Sequence, residues 1–234
     1  MKKAIVLLMR FNLAFTNRPD IQRLSKEWID YRISIFMKYT CESLKNQSNQ
    51  NFTAIINYDE SSEVLIKDAL SQYPKLPNNI IFNSSKGGIS LDNLIRGYDY
   101  LYLTRLDCDD MYHPSFIQQL FDIEHDENLE CIINQEGYIY DCLNDRLGIW
   151  YYVSPPFYTL IYKVDDFLKG LRHNIPNGHR DAINLNHYII QKRNFMVIAH
   201  SKNTSTSFDK KFTKEVIEDE KLKDEIKKEF KVKR

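Results

Sequence analysis

The chain has no surplus of charge of either sign. Its 32 Lys and Arg balance 32 Asp and Glu over 234 residues, so it lacks the basic footprint of a nucleic-acid binder. It also lacks a long apolar run. Nothing approaches the ~20 residues a spanning helix needs, and the expectation is a soluble or at most peripheral protein. The amino end, MKKAIVLLMRFN, imitates a signal peptide, but Arg10 interrupts the apolar residues 4–9 and no small-residue cleavage site follows. It reads as a first strand. Cysteines are few, at 41, 108, 131 and 142, without CxxC spacing or the density of a disulfide scaffold, which points to a reducing, cytoplasmic setting. With 43% hydrophobic and 27% charged residues, the chain has the composition of one large or two small globular domains.

What is present alternates. Residues 4–9 form a continuous apolar run of the kind a strand buried on both faces requires. From 21 to 44, Ile21, Leu24, Trp28, Tyr31, Ile35 and Tyr39 recur at three and four residues, a helical stripe. Residues 52–57 (FTAIIN) predict a second strand, 63–72 a helix stopped by Pro74 and Pro77, and 80–83 a third strand followed by the turn Lys86-Gly87-Gly88. This β-α-β-α-β order predicts an α/β fold, a mostly parallel sheet with helices on both faces, whose ligands bind beyond the carboxyl ends of the strands.

The most informative stretch begins at residue 98, YDYLYLTRLDCDDMYHP. A strand ends abruptly in Asp107, Asp109 and Asp110. Acids this close repel unless a cation or a set of donors compensates, and a hard divalent ion such as Mn²⁺ or Mg²⁺ suits such oxygens while leaving room for phosphates. The alternative is a turn in which Asp110 caps the helix opened by His113 and Pro114. Arg10 to Asn12, Asp59, Lys86 and the acid cluster all fall at strand ends of the same edge, which favours a metal and diphosphate site.

The second half differs. Residues 129–141 and 147–153 predict an antiparallel β ribbon about the turn 144–146, Pro155 and Pro156 break the chain, and 157–162 resumes as a strand. A polar loop at 171–181 leads into an expected helix at 182–191, for which Asp181 is a natural N-cap. Residues 195–200 read as a last strand ending in His200. A charged segment, 212–234, reads as a docked or fraying helix, its alternative being peripheral membrane attachment.

The run RFN at 10–12, Trp28, Arg32, Phe36, CESLKNQSNQNF at 41–52, INYDE, and TRLDCDD at 104–110 resembles rhamnosyltransferase-like proteins among the GT-A fold, nucleotide-sugar glycosyltransferases. The resemblance covers residues 4–120 and thins afterwards. It implies a Rossmann-like domain over 1–211, with a nucleotide-sugar-binding half (1–120) and an acceptor half (121–211), followed by the 212–234 tail. It implies a nucleoside diphosphate sugar donor, a carbohydrate, lipid-linked or other hydroxyl acceptor, and Mn²⁺ or Mg²⁺ on a DxD motif.

Residue by residue, the resemblance implies Asp109 as a direct metal ligand and Asp107 contacting the ribose or the metal through water, with His200 as a further metal ligand and Asp110 as an additional acid. Arg10, Phe11, Asp59, Lys86 and Arg105 would contact the nucleotide sugar. Each has an ordinary alternative: Asp59 capping a helix, Arg10 pairing with an acid, Lys86 sitting in a turn. Trp150 and Tyr151 would stack on acceptor sugars, or else be core. Asp181 would be the base of an inverting transfer, although the usual Glu-Asp pair is replaced by Arg180-Asp181. His179, with its near-neutral titration, is the other candidate. A sugar-phosphate nucleotidyltransferase is the alternative chemistry, disfavoured because no glycine-rich basic loop follows the first strand. A non-catalytic binding module of the same fold is the third reading.

Overall fold

A computed structural model describes residues 1–14, 21–124, 126–203, 206–208 and 212–232. A seven-stranded sheet is built from β1 (Lys3–Arg10), β2 (Thr53–Tyr58), β3 (Ile80–Ser84), β4 (Tyr100–Arg105), β6 (Cys131–Ile133), β9 (Tyr158–Lys163) and β10 (His187–Ile189), in the order β10-β6-β9-β4-β1-β2-β3. Strands β3, β2, β1 and β4 run parallel, and β9 is antiparallel to both its neighbours.

The reason lies in β1. Successive strand side chains point to opposite faces, and β1 is apolar on both. Ile5, Leu7 and Met9 pack with Ile29 and Ile33 of α1 (Lys26–Ile35) and with Ile66 of α3 (Glu63–Ser71). Ala4 and Val6 pack on the other face with Ile95 of α4 (Leu91–Ile95) and Phe167 of α6 (Val164–Leu168). The expected α/β fold with a mostly parallel sheet and helices on both faces is the one found.

The stripe at 21–44 is a composite. A 3-10 turn (Ile21–Leu24) precedes α1, which is capped by Ser25 accepting from the Trp28 N–H. A π turn (Phe36–Thr40) then leads into α2 (Cys41–Lys45).

A second, five-stranded sheet contains β5 (Met111–Tyr112), β7 (Glu136–Asp141), β8 (Arg146–Tyr151), β11 (Phe195–Ala199) and β12 (Thr213–Val216), in the order β12-β8-β7-β11-β5. It contains the expected antiparallel pair β7–β8. Three expectations change. Residues 129–141 are two strands in different sheets, because buried Asn134 bonds to the Phe157 carbonyl through both its backbone N–H and its side chain, ending β6 there. Residues 182–191 are not a helix: a 3-10 stretch (Gly178–Asn184) gives way to β10, whose Tyr188 pairs with Ile132. This is tertiary pairing overriding a weak helical pattern rich in Asn and His. Residues 212–234 are not helical throughout. Thr213–Val216 pairs with β8, where a Cβ at Gly148 would lie 2.8 Å from the Glu215 carbonyl oxygen. Among the described residues of this segment only α7 (Glu220–Glu229) is helical, capped by Asp219 and docked through buried Ile226 and the following Phe230. No helix of the described residues is long and apolar enough to cross a membrane.

Candidate functional site

Strand β4 ends at Arg105, and the chain turns back to enter β5 of the other sheet, the Asp110 N–H bonding to the Asp107 carbonyl at 3.2 Å. The three acids therefore occupy the junction of the two sheets, beyond the carboxyl ends of β1 and β4. A cavity of about 550 Å³ opens there. Leu8, Phe11, Trp28 and Leu103 give it an apolar wall, and Arg10, Arg32, Arg105, Asp107, Asp109, Lys202 and Asn203 give it polar groups.

Each acid has a different environment. Asp109 is buried, and its Oδ2 accepts from Arg32 Nη1 at 2.8 Å, His200 Nε2 at 3.1 Å and Asn203 Nδ2 at 3.2 Å. Burial alone would push its carboxyl up; the His200 hydrogen bond and the Arg32 charge outweigh that and hold it at about 2. His200 Nδ1 accepts from the Lys202 N–H at 3.3 Å and lies 3.1 Å from the Tyr31 hydroxyl. Arg32 Nη1 also lies 3.2 Å from His200 Nε2, so the ring stands against both members of the Arg32–Asp109 pair.

Asp110 is fully buried and accepts from the Ile198 N–H at 3.0 Å. Burial first, then the charges of Asp109 and Asp107, push its carboxyl well above the usual range. It ties β11 to the acid turn and caps no helix; α5 (Phe116–Asp122) starts after Ser115. Asp107 is half-exposed and faces Arg105, whose Nη2 lies 3.2 Å from Oδ1. The Arg105 carbonyl accepts from Tyr112.

These contacts bear on the expected Mn²⁺ or Mg²⁺. Asp109 Oδ2 already has Arg32, His200 and Asn203 as partners, and Asp107 is turned to Arg105. Among the described residues, no group of three or more His, Cys, Asp or Glu stands together in an arrangement that would hold a metal ion. The donor set does not match a divalent cation in this arrangement.

The other expected residues divide. Arg10, Phe11 and Arg105 line the cavity with Asp107 and Asp109. Asp59 is not among the lining side chains: it caps the short turn Glu60–Ser62 and pairs with Arg23 at 3.0 Å. Its carboxyl is held below the usual range, first by the Ser61 hydroxyl, with Arg23 contributing. Lys86 pairs with Glu60 at 2.5 Å beside Gly87, whose positive φ of 78° marks the turn. Both therefore take their ordinary alternatives.

Trp150 does as well. It is buried against Phe157, Phe195 and Phe212 rather than offered to a sugar. Its neighbour Tyr151 points the other way, half-exposed beneath Lys214. Asp181 accepts from the Asn177 N–H at 2.8 Å and from its side-chain amide, closing the polar loop without capping a helix. His179 Nδ1 lies 2.6 Å from the Ser154 carbonyl. Burial first, with the charges of Arg105 and Arg180, lowers its pKa against the Ser154 hydrogen bond and the charge of Asp107, which raise it. Residues 204–205, in the segment that follows His200, lie outside the described residues.

Arg32 and Asn203 were not singled out as site residues by the sequence. The signal for Arg32 was available: positions 28, 32 and 36 share one helix face, and an arginine between Trp28 and Phe36 needs a buried acid as partner.

A larger groove, about 1240 Å³, runs beside α7. Its acids and lysines neutralise each other, as Lys227 does with Asp145 at 3.0 Å and Asp224 at 3.2 Å.

No family model matches the chain, and no curated protein does. Among solved structures, it is similar to S. aureus TarS 1–349 in complex with UDP-GlcNAc, with 12% identity and a TM-score of 0.48 over 88% of this chain and 62% of that one. The chain thus spans less than two thirds of that protein's length. It is also similar to 4-diphosphocytidyl-2C-methyl-D-erythritol synthase from Anaerococcus prevotii, with 10% identity and a TM-score of 0.35 over 89% of this chain and 92% of that one.

Proposed function

We propose that the protein is a GT-A glycosyltransferase that moves a sugar from a nucleoside diphosphate sugar to an acceptor hydroxyl. The observation that carries this reading is the cavity beyond β1 and β4. It joins an apolar wall containing Phe11 and Trp28, suited to a base, to the guanidiniums of Arg10, Arg32 and Arg105, suited to a diphosphate.

In this reading the acceptor oxygen attacks the anomeric carbon as the bond from that carbon to the diphosphate oxygen breaks. The bonding pair leaves with the diphosphate, and the arginines stabilise the charge that develops there. A single displacement of this kind inverts the anomeric centre. The acceptor proton goes to a base, and His179 is better arranged than Asp181. The Ser154 carbonyl fixes its proton on Nδ1, so Nε2 carries the lone pair, and the ring lies within electrostatic reach of Arg105 and Asp107. Asp181 is held by Asn177.

A thermal-shift titration with UDP, GDP, dTDP and CDP, with and without Mn²⁺, tests the reading. One nucleotide raises the melting temperature by mass action, and Asp109→Ala abolishes that rise. No shift with any nucleotide, with or without metal, removes the reading.

A further inference from the structure

The acid turn has the sequence of a metal site and the contacts of a different one. Asp109 is paired with Arg32 at 2.8 Å and Asp107 with Arg105 at 3.2 Å, so each acid of the DxD pattern already has a guanidinium as counter-charge. Asp110 is tied to β11, accepting from the Ile198 N–H at 3.0 Å. The described cavity lining presents Arg32 and Arg105 together with the two acids they pair with. In addition, Arg32 Nε is buried with no hydrogen-bond partner among the described residues. An unmatched buried donor costs stability unless a ligand supplies the acceptor. A divalent cation ligated by Asp109 would need that carboxylate released from Arg32 and would offer Nε no acceptor. A phosphate oxygen supplies that acceptor and leaves the Arg32–Asp109 pair in place.

We infer that Arg32 and Arg105 hold the diphosphate of the donor directly, and that Asp107 and Asp109 position those guanidiniums instead of ligating a divalent metal. The inference rests on the nucleoside diphosphate reading above and concerns how that site carries charge. Guanidinium forks match phosphate oxygens in planar, paired hydrogen bonds. Asp109, fixed by His200 and Asn203, keeps the Arg32 fork from swinging away from the cavity.

The test is calorimetric titration of the whole chain with UDP, GDP, dTDP and CDP, once in excess EDTA and once in millimolar Mn²⁺. The expected result is that the nucleotide that binds does so in EDTA with a Kd within about threefold of its value in Mn²⁺, a difference of under ~1 kcal/mol. Arg105→Gln, a change at a half-exposed side chain that leaves the melting temperature near wild type, weakens binding about 10-fold or more in EDTA. Binding that needs Mn²⁺ overturns the inference and leaves the nucleotide reading standing. Binding in neither condition removes the reading, and the inference falls with it. Binding in EDTA that Arg105→Gln leaves unchanged overturns the assignment of the diphosphate to these arginines.

Discussion

Arg32 Nη1 lies 2.8 Å from Asp109 Oδ2, joining the first long helix to the turn after β4 with both side chains nearly buried. Removing one partner of such a pair strands the other as an uncompensated buried charge. Arg32→Met is expected to cost about 3–5 kcal/mol in urea unfolding. Because the Asp109 carboxyl is held at about 2, its contribution is complete above the unfolded carboxylate pKa and is lost as pH falls through about 2. The wild type should therefore lose more stability than Asp109→Asn on acidification below about pH 4. Parallel losses would contradict the pairing.

Asp110 titrates with the opposite sign. Its folded pKa is raised, so the folded protein holds the proton longer than the unfolded chain, and stability falls as pH rises from about 4. Asp110→Asn, neutral at every pH and still able to accept from the Ile198 N–H, removes that loss. The melting temperature of the variant relative to wild type should climb steadily from pH 4 towards neutrality. A difference independent of pH would show that Asp110 is ionised in the fold.

Neighbours in β8 should behave oppositely. Trp150→Ala removes the centre of an aromatic cluster and is expected to cost about 3–5 kcal/mol. Tyr151→Ala, on the other face, should change stability by under about 0.5 kcal/mol. Denaturant midpoints decide this.

Much of the fold was legible because β1 is apolar on both faces and the first ninety residues alternate in period. The acid turn was legible as well, since three carboxylates in four residues are seldom accidental. Their partners were not. Arg32, His200 and Asn203 reach Asp109 from positions 77, 91 and 94 residues away, and nothing local in the sequence encodes that meeting. Trp150 and Tyr151 show a second limit. Alternation along a strand separates them onto two faces but does not say which face another sheet will cover. The helix expected at 182–191 failed because β6 supplied a pairing partner more than fifty residues upstream, Tyr188 meeting Ile132.

Base assignment separates in kinetics. His179→Asn should lower kcat/KM by about 10²-fold or more, with Asp181→Asn the smaller loss. In the wild type the acid limb of kcat/KM should fall below the ordinary histidine value, since burial and Arg105 lower the His179 pKa. A larger loss for Asp181→Asn would transfer the role to that residue.

The proposed place of the nucleoside diphosphate is the cavity between the ends of β1 and β4 and the acid turn. Diffraction from crystals grown with the nucleotide that raises the melting temperature most tests it directly. The diphosphate is expected within hydrogen-bond distance of Arg32 and Arg105, with the base against Phe11 and Trp28. Density for the nucleotide elsewhere, or none at saturating concentration, would contradict it.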